Sequence, residues 1–569
     1  MNGTLATSDL AAGFAANAAG WAGNRGAPAD SIEALKIAAA CVGDATAQGS
    51  ACVPLSALIP HLAGRTVADL RTMLLASRIV STPDSLEVLP LVLDSANRLY
   101  LRRYFDYERR LATNLLLRAA TQGQAPVQLR LDEAPDSQRL AVDLAMRRRL
   151  AIISGGPGTG KTTTVAQLLA RILEQNPEAR IALAAPTGKA AARLLDTLRE
   201  RAAGLPEKVR ARLPAEAHTV HRLLGVTPAP GRFRHDSANP LALDVLVVDE
   251  ASMLDLSLAV HPVEAVPAAA RLVLLGDKDQ LAAVEVGSVF AELAARESSR
   301  LANCVVWLSE SYRFPASSGI GRLAADINAG EPERAMDSMT RGDGDSVTWI
   351  DDAAAAEISF ATRSRILQGY AAYIEAVRGS LADKAAIFRA FERFRVLCAV
   401  RESGRGVRAL SALVGRHVRT ELDHPLDPGG RSPWYPGRAV MVMRNDYVLR
   451  IFNGDTGICL PAADGQLGVW FADREGTFRA ISPSRLPEHE DAWANTVHKA
   501  QGSEFDTLLF VLPAKESPVL VRELAYTAVT RARTHVTLSG SGESFRAACL
   551  RKTEAHSGLA DRLKEQPAD

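Results

Sequence analysis

Between residues 150 and 310 the chain alternates short apolar runs with longer segments in which apolar residues recur every three or four positions. Short apolar runs favour buried strands, and the spacing in the longer segments is typical of amphipathic helices. This alternation predicts a parallel β-sheet with helices on both faces. The predicted strands are Leu150–Ile153, Arg180–Ala184, Val245–Val248, Leu272–Leu275 and Val305–Leu308.

A second α/β pattern starts at Arg395–Val400 and continues after Trp493, with further strands at Thr507–Leu512 and His535–Ser539. Between these parts, Trp434–Leu486 is rich in glycine, in Asn-Gly and Asp-Gly pairs and in short β runs. Such pairs favour tight hairpin turns, so this interval predicts a small β-barrel inserted into the second α/β domain. The fold class is therefore α/β.

The chain before residue 122 has a different pattern. Apolar residues recur at helical spacing in Ile32–Val42, Leu55–Leu62 and Val67–Leu75, whereas Ser81–Tyr100 is more extended. This part carries no catalytic signature, which favours a docking or interaction module. The polar segment Gln122–Asp136, which contains proline and glutamine, is predicted to be a linker.

With 569 residues the chain is too long for a single core, and a size of about 150 residues per domain suggests about four units. The predicted units are an N-terminal docking domain at 1–122, a first α/β domain at 123–350 and a second at 351–569, with the small β-barrel inserted at 432–487.

The composition is that of an ordinary soluble globular protein, with a net charge of +1. A balanced total still allows a narrow basic groove that binds DNA. The six cysteines are scattered without a C-x-x-C pair, which predicts reduced thiols rather than zinc ligands. Met1–Leu10 lacks the basic residues of a secretory signal, and no apolar run is long enough to span a membrane. We therefore expect a cytoplasmic protein.

The segment 152–164 reads Ile-Ile-Ser-Gly-Gly-Pro-Gly-Thr-Gly-Lys-Thr-Thr-Thr and leads from the first predicted strand into a predicted helix at Thr163–Glu174. Its glycines allow the backbone to wrap around an anion at the positive end of that helix. Lys161 then reaches the β- and γ-phosphates of ATP, and the Thr162 hydroxyl ligates Mg²⁺. The amide of Gln138 is placed to read the adenine edge. The predicted phosphate-loop residues are Gly155, Gly156, Pro157, Gly158, Thr159, Gly160, Lys161, Thr162 and Thr163.

Two acidic residues follow the predicted strand at 245–248. An acid at a strand tip beside the phosphate loop can hold Mg²⁺, and a neighbouring acid can polarise the attacking water. We therefore predict Asp249 as a metal ligand and Glu250 as the general base. The segment 274–280 again has a predicted strand followed by polar residues. There we predict that Gln280 contacts the γ-phosphate and that Asp277 fixes the loop.

Two arginines outside the loop are candidates for neutralising charge on the transferred phosphoryl group. Arg313 follows a predicted strand, and Arg531 is predicted to lie on a helix within Glu523–Arg533. A positioned arginine is worth roughly 10³–10⁵ in rate. We predict both as catalytic.

Four polar residues in loops are candidates for contacts to a nucleic-acid backbone. Thr187 lies at the tip of the second predicted strand, before a helix N-terminus that can bind a phosphate. Thr219 and the pair Thr496 and His498 lie in similar loops. His498 fits an ordinary loop histidine equally well.

These segments, in this order, resemble superfamily 1 DNA helicases and, among them, the RecD family of exonuclease V complexes. The similar stretches are Ile153–Val165, Ala184–Leu194, Leu243–Leu254, Leu274–Gly287, Ser309–Gly321, Trp434–Asp446, Phe452–Ile458, Ser482–Glu490, Trp493–Asp506 and Arg522–Ala532.

The resemblance implies two RecA-like motor domains, with the inserted barrel of SH3-like form and the N-terminal domain docked on a scaffold subunit. It also implies an ATP-driven motor that moves 5′ to 3′ on single-stranded DNA from a duplex end, in double-strand break repair and recombination. Its partners would be a RecB-like helicase–nuclease and a RecC-like scaffold. Family roles place Gln138 at the adenine and Glu504 near the ribose of the nucleotide.

Three alternatives stay open at this point. A stand-alone helicase of the RecD2-like branch would act without partners, although the longer N-terminal extension of that branch is not apparent. A non-motor subunit would use ATP only to switch conformation, against which the intact acidic and arginine positions argue. A nuclease would need clustered carboxylates beyond those of the ATP site, and the sequence shows none.

Overall fold

The N-terminal domain packs helices against a small sheet. Its elements are α1 (Asp9–Asn24), α2 (Ala29–Ala47), β1 (Cys52–Pro54), α3 (Leu55–Leu58), α4 (Val67–Ala76), β2 (Val80–Ser81), β3 (Leu91–Leu93), β4 (Arg98–Leu101) and α5 (Arg102–Ala120). The strand order is β1-β4-β3-β2. The structure, a computed structural model, describes residues 8–62, 64–121, 136–229, 231–283, 285–295, 300–314, 318–340, 346–352, 355–423, 432–446, 448–462, 464–473 and 477–565.

Small side chains explain the packing of the first two helices. A Cβ added at Gly43 of α2 would lie 3.0 Å from the Cβ of Ala11 in α1, so the two backbones approach closely. The predicted helix at Leu55–Leu62 is shorter than expected, because α3 gives way to a 3₁₀ turn at Ile59–His61. The predicted linker Gln122–Asp136 lies outside the described residues except for Asp136.

The first large sheet has six parallel strands in the order β10-β5-β9-β8-β6-β7. All five predicted strands are confirmed, and β7 is an addition. Because the carboxyl ends of parallel strands lie on one edge, the residues after β5, β8, β9 and β10 meet there. The elements are α6 (Ser137–Arg147), β5 (Leu150–Gly155), α7 (Lys161–Gln175), β6 (Ile181–Ala185), α8 (Gly188–Ala202), α9 (Glu207–Arg210), β7 (His218–Thr219), α10 (Val220–Leu224), β8 (Val245–Val248), α11 (Leu256–Ala265), β9 (Arg271–Gly276), α12 (Val289–Ala294) and β10 (Val305–Leu308).

A helical stretch then leads into the second α/β unit and its inserted sheet. The elements are α13 (Gly319–Ala329), α14 (Pro332–Thr340), β11 (Val347–Asp351), α15 (Phe360–Gly369), α16 (Ala371–Gly379), α17 (Lys384–Arg393), β12 (Phe394–Cys398), α18 (Val407–Glu421), β13 (Ala439–Val442), β14 (Thr456–Pro461), β15 (Leu467–Ala472), β16 (Phe478–Ile481) and β17 (His489–Asp491).

The inserted sheet is antiparallel, with the strand order β16-β15-β14-β13-β17. It has an apolar cluster of its own, which includes Val440, Ile451, Cys459 and Phe471. Its fifth strand, β17, lies beyond the predicted end of the insertion at residue 487, because β17 pairs with β13.

The second large sheet is parallel and has the order β11-β20-β19-β12-β18. Its remaining elements are β18 (Ala494–Thr496), β19 (Phe505–Val511), α19 (Arg522–Val529), β20 (Ala532–Gly540), α20 (Gly542–Leu550) and α21 (Leu559–Arg562). Here the structure differs from the predicted boundary at residue 350, which falls inside β11. That strand pairs with β20, and Leu323 of α13 shares a core with Leu524 of α19. The apolar face of α13 and the pairing of β11 therefore place these two elements with the second sheet.

The C-terminal segment 551–565 leaves the second sheet and returns to the N-terminal domain. Its anchor is Glu108 of α5, a fully buried carboxylate. Glu108 accepts hydrogen bonds from the Ser557 hydroxyl at 2.8 Å, the Gly558 amide at 2.9 Å and Arg562 Nε at 3.1 Å. The first and last parts of the chain are thus tied together through buried, charge-assisted hydrogen bonds.

Glu292 of α12 makes this junction sensitive to pH. Its carboxylate accepts a hydrogen bond from the Ala560 amide at 3.1 Å, and burial together with nearby Glu108 raises its pKa to about 7. The stability contributed by the protonated form is complete below pH 4.5 and is lost as the pH rises through about 7.

We expect Glu292→Gln, which cannot ionise, to raise Tm relative to the unsubstituted chain above pH 7 and to leave it nearly unchanged below pH 4.5. Thermal unfolding of both proteins at the two pH values measures the difference. A shift of equal size at both would show that Glu292 does not titrate at this junction.

The cysteines are all free thiols, and all except Cys41 are buried. Burial raises the pKa of Cys304 to about 11 and that of Cys459 to about 12, so both thiols stay protonated at neutral pH. Within the described segments, no helix is both long and apolar enough to cross a membrane.

Candidate functional site

The glycine-rich loop lies between β5 and α7, as the sequence predicts. Gly158 and Gly160 have φ values of +78° and +83°, which favour glycine. The Thr159 hydroxyl closes the loop by donating to the Gly156 carbonyl at 2.8 Å. Because α7 begins at Lys161, the free amides of its first turn point towards the space that the loop encloses.

Two predicted site residues flank this loop so closely that only glycine fits. A Cβ at Gly160 would lie 2.1 Å from Gln138 Nε2, and one at Gly158 would lie 2.3 Å from the Cβ of Arg313. Gln138 Nε2 also donates to the Thr159 carbonyl at 3.1 Å. The structure therefore brings Gln138 and Arg313 to opposite sides of the loop.

Lys161 and two acidic residues face each other across the edge of the sheet. The Lys161 ammonium donates to the Gly155 carbonyl at 2.6 Å and to that of Gly156 at 3.1 Å. Burial and neighbouring Glu250 raise the pKa of Asp249 to about 6, while Lys161 opposes that rise. A divalent cation beside these carboxylates would relieve the cost of ionising them together.

The turn after β8 separates the two carboxylates. Glu250 has a φ of +51°, an uncommon value for a residue with a side chain, and its amide donates to Asp249 Oδ1 at 2.8 Å. Strained backbone of this kind concentrates at functional sites. Both acids line the same cavity as Lys161 and Thr162.

The loop after β9 joins the two sheets. Buried Asp277 accepts hydrogen bonds from the Asp279 amide at 3.0 Å and from Gln280 Nε2 at 3.2 Å, so it fixes the loop as predicted. It also accepts one from the Tyr526 hydroxyl of α19 at 3.0 Å. Gln280 is buried, and its Oε1 has no hydrogen-bond partner among the described residues. An acceptor is thus available at the wall of the cavity.

A second set of bonds crosses the cleft beside Tyr526. The Leu281 amide donates to the Thr527 hydroxyl at 2.8 Å, and its carbonyl accepts from Gln501 Nε2 at 2.6 Å. Both the amide and the carbonyl of Leu281 are therefore bonded to side chains of the second sheet. These contacts could not be predicted from the sequence, because each joins residues far apart in the chain.

Four arginines gather around one carboxylate where the two sheets meet. Glu504, only 6% exposed, forms ion pairs with Arg193, with Arg313 at 2.6 Å and with Arg533 at 3.2 Å. Burial alone would raise the pKa of Glu504, but Arg193 and Arg313 lower it to about 2. Arg193 was not among the predicted site residues. It lies within a stretch that resembles helicases, but the residue itself has no other distinguishing signal.

Arg531 is the fourth arginine, and the predicted helix does not include it. Helix α19 ends at Val529, so Arg531 lies in the turn before β20. It is 2% exposed and donates to the Ser503 carbonyl at 3.4 Å, while its Nε has no hydrogen-bond partner among the described residues. The turn directs this guanidinium into the cleft rather than along a helix surface.

A single cavity of about 1990 Å³ collects most of the predicted residues. Thr187 and Thr219 lie on its wall, where each caps a helix: Thr187 accepts from the Ala190 amide and Thr219 from the Arg222 amide, both at 3.2 Å. The predicted residues that line it are Gln138, Pro157, Gly158, Gly160, Lys161, Thr162, Thr163, Thr187, Thr219, Asp249, Glu250, Gln280, Arg313, Glu504 and Arg531.

Thr496 and His498 are not among the residues that line this cavity. The Thr496 hydroxyl accepts from the Lys499 amide at 3.3 Å, and burial lowers the pKa of His498. Thr496 is the last residue of β18 on the second sheet, and His498 begins the 3₁₀ turn at His498–Ala500. Their predicted contact with DNA stays a prediction.

A phosphate loop on one parallel sheet and an arginine from a second sheet at the same cleft are the arrangement of a superfamily 1 helicase. Residues 138–286 match the family model described as an AAA domain, and residues 491–539 match the one described as a UvrD-like helicase C-terminal domain. The protein is an ATP-dependent DNA helicase of this class.

Curated relatives define the family. The chain is 38% identical over 551 residues to the RecBCD enzyme subunit RecD of Mycobacterium tuberculosis H37Rv, covering 94% of this chain and 92% of that protein. It is 34% identical to RecD of Haemophilus influenzae, covering 76% and 73%. The ATP-dependent RecD2 DNA helicase of Deinococcus radiodurans is 31% identical, with 75% and 52% covered. The chain belongs to the RecD family.

A solved structure titled as a Bacteroides Pif1 bound to ssDNA is also similar. It is 16% identical, has a TM-score of 0.39 and covers 71% of this chain and 91% of that one.

Proposed function

We propose that this chain is the motor subunit of a RecBCD-type helicase–nuclease that acts in double-strand break repair and recombination. It moves 5′ to 3′ on single-stranded DNA from a duplex end, beside a RecB-like helicase–nuclease and a RecC-like scaffold. The observation that carries the motor role is the cleft itself. Lys161 comes from the first sheet and buried Arg531 from the second, and both line one cavity.

The residues of the cleft fit ATP with Mg²⁺. The positive-φ glycines leave no room for side chains where the phosphates would lie, and Asp249 carries a raised pKa that a cation would lower. We assign Thr162 and Asp249 to Mg²⁺, which would neutralise charge on the β- and γ-phosphates. Lys161 binds those phosphates and Gln138 orients the adenine.

The remaining cleft residues act on the γ-phosphate. Glu250 takes a proton from the attacking water, and Gln280, whose Oε1 accepts no hydrogen bond from the described residues, orients that water. Arg313 and Arg531 balance the charge that grows on the transferred group. Hydrolysis removes ligands that both sheets share, so the cleft loosens, and each cycle of closing and opening shifts the chain along DNA.

The polar loops supply DNA contacts through Thr187, Thr219, Thr496 and His498. The N-terminal domain docks on the RecC-like scaffold, and the inserted antiparallel sheet is a small SH3-like barrel. Both assignments rest on the resemblance to the family.

Strand displacement tests the proposal. With the partner motors inactivated, we expect ATP-dependent unwinding of a 5′-tailed duplex and none of a 3′-tailed duplex, because a translocase loads on the strand that it follows. The assay compares the chain alone with the chain bound to RecB-like and RecC-like subunits. Unwinding from 3′ tails only would contradict the proposed polarity.

Two outcomes would favour the alternatives. Full activity of the chain alone, together with gel filtration that shows no association with the partner subunits, would favour a stand-alone RecD2-like helicase. DNA-stimulated ATP hydrolysis below detection, even in the assembled complex, would favour a subunit that only switches conformation.

A further inference from the structure

The carboxylate of Glu504 joins the two sheets at the place where the catalytic arginines meet. Glu504 lies between Gly502 and β19 on the second sheet, whereas Arg193 belongs to α8 and Arg313 follows β10, both on the first sheet. Its pairs with Arg193 and Arg313 therefore cross the cleft, and the latter is 2.6 Å long. The side chain of Glu504 is only 6% exposed, so water screens these pairs weakly.

Positive charge exceeds negative charge around this carboxylate. Arg533 pairs with its other oxygen at 3.2 Å, and Arg531 lies close enough to help lower its pKa. One carboxylate thus faces four guanidinium groups, and Arg531 Nε has no hydrogen-bond partner among the described residues. Asp506 also pairs with Arg533, at 3.7 Å, but the guanidinium groups still outnumber the carboxylates. Such an excess of donors around a buried carboxylate is a site for an anion with more oxygens and more charge than a single carboxylate.

The anion that fits is the terminal phosphate of a nucleoside triphosphate. Arg313 lies directly against Gly158, and its backbone neighbour Tyr312 donates to the Gly158 carbonyl at 2.9 Å. The residue whose guanidinium pairs with Glu504 therefore packs its backbone and Cβ against the phosphate loop. A diphosphate would lack the group that reaches these arginines.

We propose that Glu504 is a positioning residue that holds Arg193 and Arg313 as a resident counter-anion and yields them to the γ-phosphate when ATP binds. This inference rests on the proposed function. It assigns Arg193 as a further ligand of the γ-phosphate, and it gives Glu504 a role different from a contact to the ribose.

The exchange lowers the preference of the cleft for ATP over ADP. Glu504 competes with the γ-phosphate for two arginines, so its charge weakens ATP binding without touching ADP binding. After hydrolysis and phosphate release, the arginines return to Glu504, as in the pairs that the structure shows.

The test is nucleotide binding to the full chain with Glu504→Gln, measured by titration calorimetry with AMP-PNP and with ADP. We expect AMP-PNP to bind at least about fivefold more tightly than to the unsubstituted chain, and ADP to bind with unchanged affinity. Weaker binding of both nucleotides by the same factor, as a lost ribose contact would give, overturns the inference. No change for either nucleotide also overturns it.

Arg313→Ala supplies the double-mutant cycle. If Glu504 acts through Arg313, then Glu504→Gln tightens AMP-PNP binding much less in the Arg313→Ala background. An equal gain in both backgrounds contradicts the role of Arg313 in the exchange.

Two further variants keep the test decisive. Glu333→Gln breaks an exposed pair with Arg546, 2.7 Å long and remote from the cleft, and is expected to change neither affinity. If Glu504→Gln alone fails to fold, Glu504→Gln with Arg533→Gln removes a positive charge as well and carries the same test. Failure of the unsubstituted chain to bind AMP-PNP would instead contradict the proposed function.

Discussion

Lys161→Ala is expected to lower DNA-stimulated ATP hydrolysis by at least about a hundredfold and to abolish strand displacement by this subunit. Its ammonium donates to the Gly155 and Gly156 carbonyls, in the loop that would surround the phosphates. In the transition state the same donors would face the β- and γ-oxygens, where charge develops in a dry cleft. The substitution removes those donors without leaving a cavity in a hydrophobic core, because Lys161 is only partly buried.

The measurement uses the assembled complex with the partner motors inactivated, so that only this subunit contributes. Lys161→Gln, which keeps most of the side-chain length without the charge, is expected to behave like Lys161→Ala. Lys208→Ala on exposed α9 of the same domain is the matched control and should retain full activity. Unwinding that survives Lys161→Ala while Tm is unchanged would refute the motor role of this ATP site.

The local sequence pattern was sufficient to predict the strands of the first sheet and the phosphate loop, because interactions between neighbouring residues determine them. The five strands of the first sheet follow from short apolar runs, and the phosphate loop follows from glycines that precede a helix. The acids after β8 were predictable because a strand end places its next residues at the ligand-binding edge. These features depend on neighbours in the sequence.

Long-range pairings were not predictable from the same pattern. Helix α13 and strand β11 were assigned to the first domain by their position in the chain, yet β11 pairs with β20. The apolar face of α13 has the same periodicity whichever sheet it covers. The return of Gly558 to Glu108 likewise depends on packing that a linear pattern does not contain.

The candidate site shows the same division. Its residue types were predictable, but the partners across the cleft were not. The resemblance places Glu504 near the ribose, which stays a prediction, and its contacts in the structure are with arginines of both sheets. Arg193 has no local signal that separates it from a solvated helix residue. Its role depends on the approach of the second sheet to α8.

The second large effect is expected at Arg531. Replacement by alanine should lower the rate of single-turnover ATP hydrolysis by roughly 10³-fold or more while AMP-PNP still binds. Arg531 lines the cavity and donates to the Ser503 carbonyl, and its Nε has no hydrogen-bond partner in the part of the chain that the structure describes, so we expect its strongest interactions to form only when the γ-phosphate is present. A cation that acts mainly on the transition state lowers kcat more than it alters nucleotide affinity.

Because Arg531 is only 2% exposed, its loss also affects packing, and the design must separate the two effects. Arg531→Lys keeps a positive charge of similar length but lacks the planar fork, so we expect a large loss of hydrolysis with a much smaller change in Tm. Arg546→Ala, at an exposed pair on the same domain, controls for the loss of an arginine alone. If Arg531→Lys hydrolyses ATP at the normal rate, a positive charge at this position is sufficient for catalysis. The planar fork of the guanidinium is then not required. If Arg531→Ala is folded and hydrolyses ATP at the normal rate, the second sheet contributes no arginine to catalysis at this position.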